Sequence, residues 1–130
     1  MGSVPARVAL VAALLTLIWG CSSGSLLDGV SKDPTYGYTE ANPIKVGGAH
    51  EDTGPANERR FLEALRGPRG QKISYERMGS CCPFDTVEGD FGKRLLDVYE
   101  VTYSGMQTPV RLYVNMYDRG QLLAPKGFSY

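Results

Sequence analysis

Cys81 and Cys82 are adjacent, and adjacent cysteines have few chemical options. They can close a strained vicinal disulfide, stay as thiols packed against Pro83 and Phe84, or bind a soft metal such as copper(I) with Met78 as the nearest further soft donor. The single histidine, His50, offers a base that could turn either cysteine into a thiolate nucleophile, provided folding brings them within hydrogen-bond reach. Carboxylates follow at Asp85, Glu88, Asp90 and Asp97, but their order lacks the spacing of a calcium hand, and with Lys93 and Arg94 beside them they read as a solvated loop. Gly67-Pro68-Arg69-Gly70 has amides and a cation for an anion, yet lacks the Lys-Ser/Thr ending of a phosphate loop, so it reads as a turn. None of these sets assigns a catalytic residue, a cofactor or a metal ligand.

A binding surface has a better basis. Tyr99 and Tyr103, and likewise Tyr113 and Tyr117, are spaced so that strand periodicity puts each pair on a single face. Aromatic faces suit a protein or glycan partner, and they also suit ordinary cross-strand packing.

The N-terminus carries a different chemistry. Arg7, an apolar stretch over 8–19 and the small Gly20 have the order of an export signal, too short for a mature membrane helix of roughly 20 apolar residues. Ile18-Trp19-Gly20-Cys21 resembles the bacterial lipobox, departing from it at Trp19. This implies cleavage after Gly20 and lipid on Cys21: a diacylglyceryl thioether plus an N-acyl (palmitate-type) chain satisfies the two-signal requirement for stable anchoring. Ser22 in place of Asp resembles the outer-membrane sorting signal of double-membrane bacteria, facing the periplasm, with surface display as the alternative. Residues 1–20 are thus the signal peptide, 21–36 the lipidated cysteine and a flexible Ser/Gly-rich tether, and 37–130 the folded domain. With Cys21 acylated, Cys81 and Cys82 remain as an even pair in an oxidising compartment.

The 130-residue chain has 14 basic and 14 acidic side chains, so nothing supports a nucleic-acid footprint and one small domain is all that fits. Ile44 and Val46 mark a short edge strand. Pro55 can open a helix whose stripe is Phe61, Leu62 and Leu65, with Glu58 favouring the dipole's positive end and Gly67 as a left-handed cap before Pro68. Residues 72–78 alternate as a strand, 79–93 are irregular, and 95–103 with 110–117 form a hairpin. The expected fold is α+β: a small antiparallel sheet of about three to five strands packed against one helix.

Several segments, among them Asn42-Pro43-Ile44-Lys45-Val46-Gly47-Gly48, Ser80-Cys81-Cys82-Pro83-Phe84 and Leu112-Tyr113-Val114-Asn115-Met116-Tyr117, resemble a Bacteroidetes-type family of short bacterial lipoproteins. The resemblance implies an anchored envelope domain. Some of that family are called 2-dehydro-3-deoxyphosphooctonate aldolase, an enzyme resembling an eight-fold barrel of about 250 residues; a chain this short and exported does not suit that activity. The expectation is a non-enzymatic binding or structural module, with a thiol, metal or enzymatic protein using Cys81-Cys82 as the alternative.

Overall fold

The computed structural model describes residues 2–3, 24–86 and 93–130. Cys21, the apolar stretch 8–19, Glu88 and Asp90 lie outside these residues. Among the described residues no helix is long and apolar enough to cross a membrane.

Among the described residues four strands form one sheet with a single α-helix packed on it, which is the α+β class expected. In chain order they are β1 (Ile44–Lys45), a 3-10 turn (Ala49–Glu51), α1 (Gly54–Ala64), β2 (Ile73–Asp85), β3 (Lys93–Tyr103) and β4 (Val110–Asn115). The sheet order is β1-β4-β3-β2. Neighbours β2–β3 and β3–β4 run antiparallel, whereas β1 lies parallel to β4 with Ile44 opposite Val114. The sheet is therefore mixed rather than wholly antiparallel. The chain leaves β1 through α1 and crosses to the far edge before it returns, and parallel pairing needs such a long connection.

Residues opposite one another in a ladder share a face, so the register sorts the side chains. One face carries Tyr75 of β2, Asp97, Tyr99 and Val101 of β3, and Val110, Leu112 and Val114 of β4. On it rests α1 through Phe61 and Leu62, with Leu65 at its C-terminus, all fully buried. Pro55 stands in the helix's first turn, where its missing N–H leaves no bond unmade. The helix stops at Ala64, earlier than a glycine cap at 67 requires. Leu65 is extended, and Arg66 exchanges two 2.8 Å hydrogen bonds with Ser129 instead. Gly67 is needed for closeness rather than for a left-handed turn: a Cβ there would lie 2.6 Å from Gln71 Oε1 and 3.0 Å from Tyr103 Cγ.

The stretch read as a flexible tether up to residue 36 is packed from Leu27 onward. Leu27 is 2 % exposed, and Asp28 N and Ser31 N donate to Leu122 O (2.9 Å) and Ala124 O (2.8 Å). Tyr36 is buried as well, its hydroxyl donating to Gln121 O (3.2 Å) and accepting from Leu123 N (3.1 Å). The segment pairs with the C-terminal stretch rather than with a sequence neighbour. Its polar composition therefore hides its role, and only the Leu26-Leu27 pair hints at it. Leu27→Ala should therefore lower stability by about 2–4 kcal/mol in urea unfolding. A true tether would change by no more than about 0.5 kcal/mol.

Candidate functional site

Beyond the first turn of α1 the helix no longer covers the sheet, and a cavity of about 550 Å³ opens between α1, β2, β3 and the segment after β4. Its floor depends on a local irregularity. In a regular strand Arg77 and Ser80 point to opposite faces; here a bulge between Arg77 and Gly79 inserts a residue, so Arg77 faces Tyr99 and Ser80 faces Asp97 on the same side. Gly79 sits in the bulge at φ 143, which side chains rarely adopt. As a result Asp97 Oδ1 accepts from Arg77 Nε (3.2 Å), Arg77 Nη2 (2.7 Å) and Ser80 Oγ (3.0 Å), and Arg77 also donates to Ser80 Oγ (2.6 Å).

Facing this group from α1 is Glu58. It is 1 % exposed, and its Oε2 receives no hydrogen bond. Burial pushes the Glu58 pKa up to about 9, and the neighbouring Asp97 adds to the shift. Burial acts on Asp97 in the same direction, but hydrogen bonds from Glu58, Arg77 and Ser80 outweigh it and hold Asp97 below its ordinary range. Near neutral pH the pair therefore keeps one proton, carried by Glu58 and donated to Asp97. As a carboxylate Glu58 would be a buried charge short of donors; as an acid it has a partner in Asp97. Tyr99 completes the floor. Burial, then the charges of Glu58 and Asp97, raise its pKa and keep the hydroxyl neutral.

The walls are cationic and amphipathic. Arg59 comes from α1 and Arg94 from β3, where the guanidinium lies 5.5 Å from the centre of the Tyr117 ring. Among the described residues neither pairs with a carboxylate, unlike Arg77 on Asp97 and Arg119 on Glu51. Leu95, Met116 and Pro55 supply apolar surface. Met116 also presses on the helix start, since a Cβ on Gly54 would lie 2.7 Å from its sulfur. Such a site can bind an anion.

Compared with known protein families, curated proteins and solved structures, the chain matches none.

The residues singled out in the sequence as candidate sites fall elsewhere, with three exceptions. Asp97 and Tyr99 are on the pocket floor and Tyr117 is at its rim. Tyr103 is on the same face but packs edge-on against Phe128, with ring centres 5.7 Å apart. Tyr113 pairs with Val98 and so points to the opposite face, while Tyr117 lies past β4 at the pocket rim, its ring 6.1 Å from that of Phe84. The four tyrosines therefore make no common surface: register divides them between two faces, and burial takes Tyr99 into the core. Cys81 and Cys82 form a vicinal disulfide within β2 rather than in an irregular stretch, at a second bulge where Cys82 takes φ 64. In that state they offer neither a thiolate nucleophile to His50, which sits in the 3-10 turn before α1, nor ligands to a metal. Among the described residues no cluster of three or more His, Cys, Asp or Glu side chains could hold an ion. The turn at 67–70 spends its amides on itself, through Gly67 N to Gln71 O (2.7 Å) and Arg69 N to Gln71 Oε1 (2.7 Å). Asp85 faces Lys93 across the ladder. Sequence reasoning missed Glu58, Arg59, Arg77, Ser80 and Arg94, although 58, 61, 62 and 65 complete an i, i+3, i+4, i+7 face and Gly79 signals a bulge.

Two outcomes check this geometry. The folded protein holds a proton on Glu58 that the unfolded chain loses near the ordinary value of 4.5, so this site favours folding most at acid pH and progressively less up to about 9. Glu58→Gln keeps a neutral donor for Asp97. Relative to it, wild type should lose stability between pH 5 and 9 with a slope approaching about 1.4 kcal/mol per pH unit in urea unfolding; parallel pH profiles would contradict the buried acid. Separately, alkylation of the denatured, unreduced protein should label neither Cys81 nor Cys82, and reduction should expose both.

Proposed function

We propose that the chain is an exported, lipid-anchored envelope lipoprotein whose domain is a non-enzymatic binding module, with the α1–β3 pocket as its site. The anchor rests on the export signal ending in Ile18-Trp19-Gly20-Cys21 and on the resemblance to short bacterial lipoproteins. The sorting residue Ser22 favours the outer membrane, facing the periplasm. The binding half rests on one observation: an open cavity of about 550 Å³ has Arg59 and Arg94 in its lining, neither paired with a carboxylate among the described residues. Guanidinium groups without a carboxylate partner at a cavity suit an anionic guest. The partner is an envelope glycan or protein. The aldolase activity has no support from an architecture of four strands and one α-helix.

Acylated Cys21 should be the N-terminus of the mature protein by mass spectrometry, and Cys21→Ser should release the protein from washed membranes. Equal retention of the serine variant would remove the anchor. For the pocket, a photo-crosslinking residue at the exposed rim position 95, irradiated in intact cells, should give a discrete adduct. Unmodified protein alone would count against a binding module.

A further inference from the structure

The two bulges of β2 are held by different means. The one between Arg77 and Gly79 turns on a glycine, which takes a positive φ freely, whereas the one between Cys81 and Phe84 turns on Cys82 at φ 64. A left-handed backbone is unfavourable for any residue with a Cβ, and Pro83 biases the residue before it further toward an extended backbone. What opposes both preferences is the bond from Cys81 to Cys82. It ties neighbouring side chains into a small ring through one peptide unit, which leaves the backbone between them little freedom.

That bulge decides which face Phe84 occupies. Cys82 and Pro83 together stand across from Leu95 alone, so Cys81 opposite Leu96 and Phe84 opposite Arg94 share a face. From there Phe84 reaches the Tyr117 ring, 6.1 Å between centres, beside the Arg94 guanidinium 5.5 Å from the same ring, and Thr86 donates to Asp118. Met116 and Tyr117 line the cavity, so the end of β2 braces one of its walls. With Cys82 extended, the strand alternates regularly again and Phe84 comes opposite Lys93, on the other face. The brace on Tyr117 is then gone.

A reductant can reach the bond. β2 is an edge strand, Cys81 and Cys82 are each half-buried, and Pro83 beside them is exposed. We propose that Cys81-Cys82 is a reversible redox site that sets the register at the end of β2, and through it the rim of the cavity. The reductant is a dithiol. One of its thiolates attacks one cysteine sulfur, the S–S bond breaks, and the other cysteine leaves as a thiolate that takes up a proton. The second thiol of the reductant gives up its proton and displaces the first cysteine, so the protein ends with two thiols and the reductant with a disulfide. This goes beyond the binding-module reading and depends neither on the anchor nor on the guest.

The test is nuclear magnetic resonance of the full chain before and after dithiothreitol, with alkylation and mass spectrometry to count the thiols at Cys81 and Cys82. Oxidised protein should show Phe84 across from Arg94 and in contact with the Tyr117 ring. In the reduced protein Phe84 should lie across from Lys93 and the ring contact should vanish, while Tyr75 stays opposite Val101. Cys81→Ser combined with Cys82→Ser should take the shifted register without reductant. Cys81→Ser combined with Cys82→Gly should keep the original one, because glycine accepts φ 64 without the bond. The wild-type spectra decide the question even where a variant fails to fold. An unchanged register in the reduced protein, loss of every cross-strand contact beyond Cys81, a shift in the glycine variant, or a disulfide that dithiothreitol leaves intact in the native protein each overturns the proposal.

Discussion

A single short helix has to cover a sheet longer than itself. The 11 residues of α1 span about 16 Å, whereas the 11 residues of β3 span roughly 36 Å. Phe61, Leu62 and Leu65 can bury only the middle of the apolar face, over Tyr99, Val101 and Leu112. One end is closed by Phe128 against Tyr103, while Leu27, Tyr36 and Ala124 join the same core from the segments flanking the strands. The other end, where β2 and β3 continue past the helix start, stays open. The pocket is that uncovered end.

Its chemistry follows from the position of Glu58 at the boundary. One turn before Phe61, it is carried into the buried face by the helix period, yet it lands where apolar cover runs out. Burying a carboxylate there with little beyond the Tyr99 hydroxyl to donate to it would be costly, and the shared proton with Asp97 avoids that cost. Asp97 can stay charged because the bulge at Gly79 brings Arg77 and Ser80 to the same face. Helix period, strand irregularity and proton position thus form one arrangement, and removal of any one leaves a buried acid without its partner.

The vicinal disulfide belongs to the same strand. Cys81 lies opposite Leu96 on the far face, immediately after Ser80, and the second bulge between Cys81 and Phe84 absorbs it. Further on, Phe84 reaches the ring of Tyr117 at the pocket rim. The pair therefore shapes the course of β2 beside the site without lining the cavity.

Much was legible in the sequence because it depends on local periodicity. The helix stripe at 61, 62 and 65, the alternation of β4 at 112 and 114 and the α+β class all come from patterns within a window of a few residues. What depended on pairing distant segments was not legible. The parallel return of β1 onto β4, the docking of residues 27–36 on 122–124, and the early end of α1 at Ser129 join stretches with no local signature of one another. The pocket lies at the meeting of both kinds of information. The sequence by itself places Glu58 on the helix's apolar face and a glycine before Ser80. Only the tertiary structure decides that this face runs out above Asp97, because the length of helix available to cover a sheet is set by what the rest of the chain packs against.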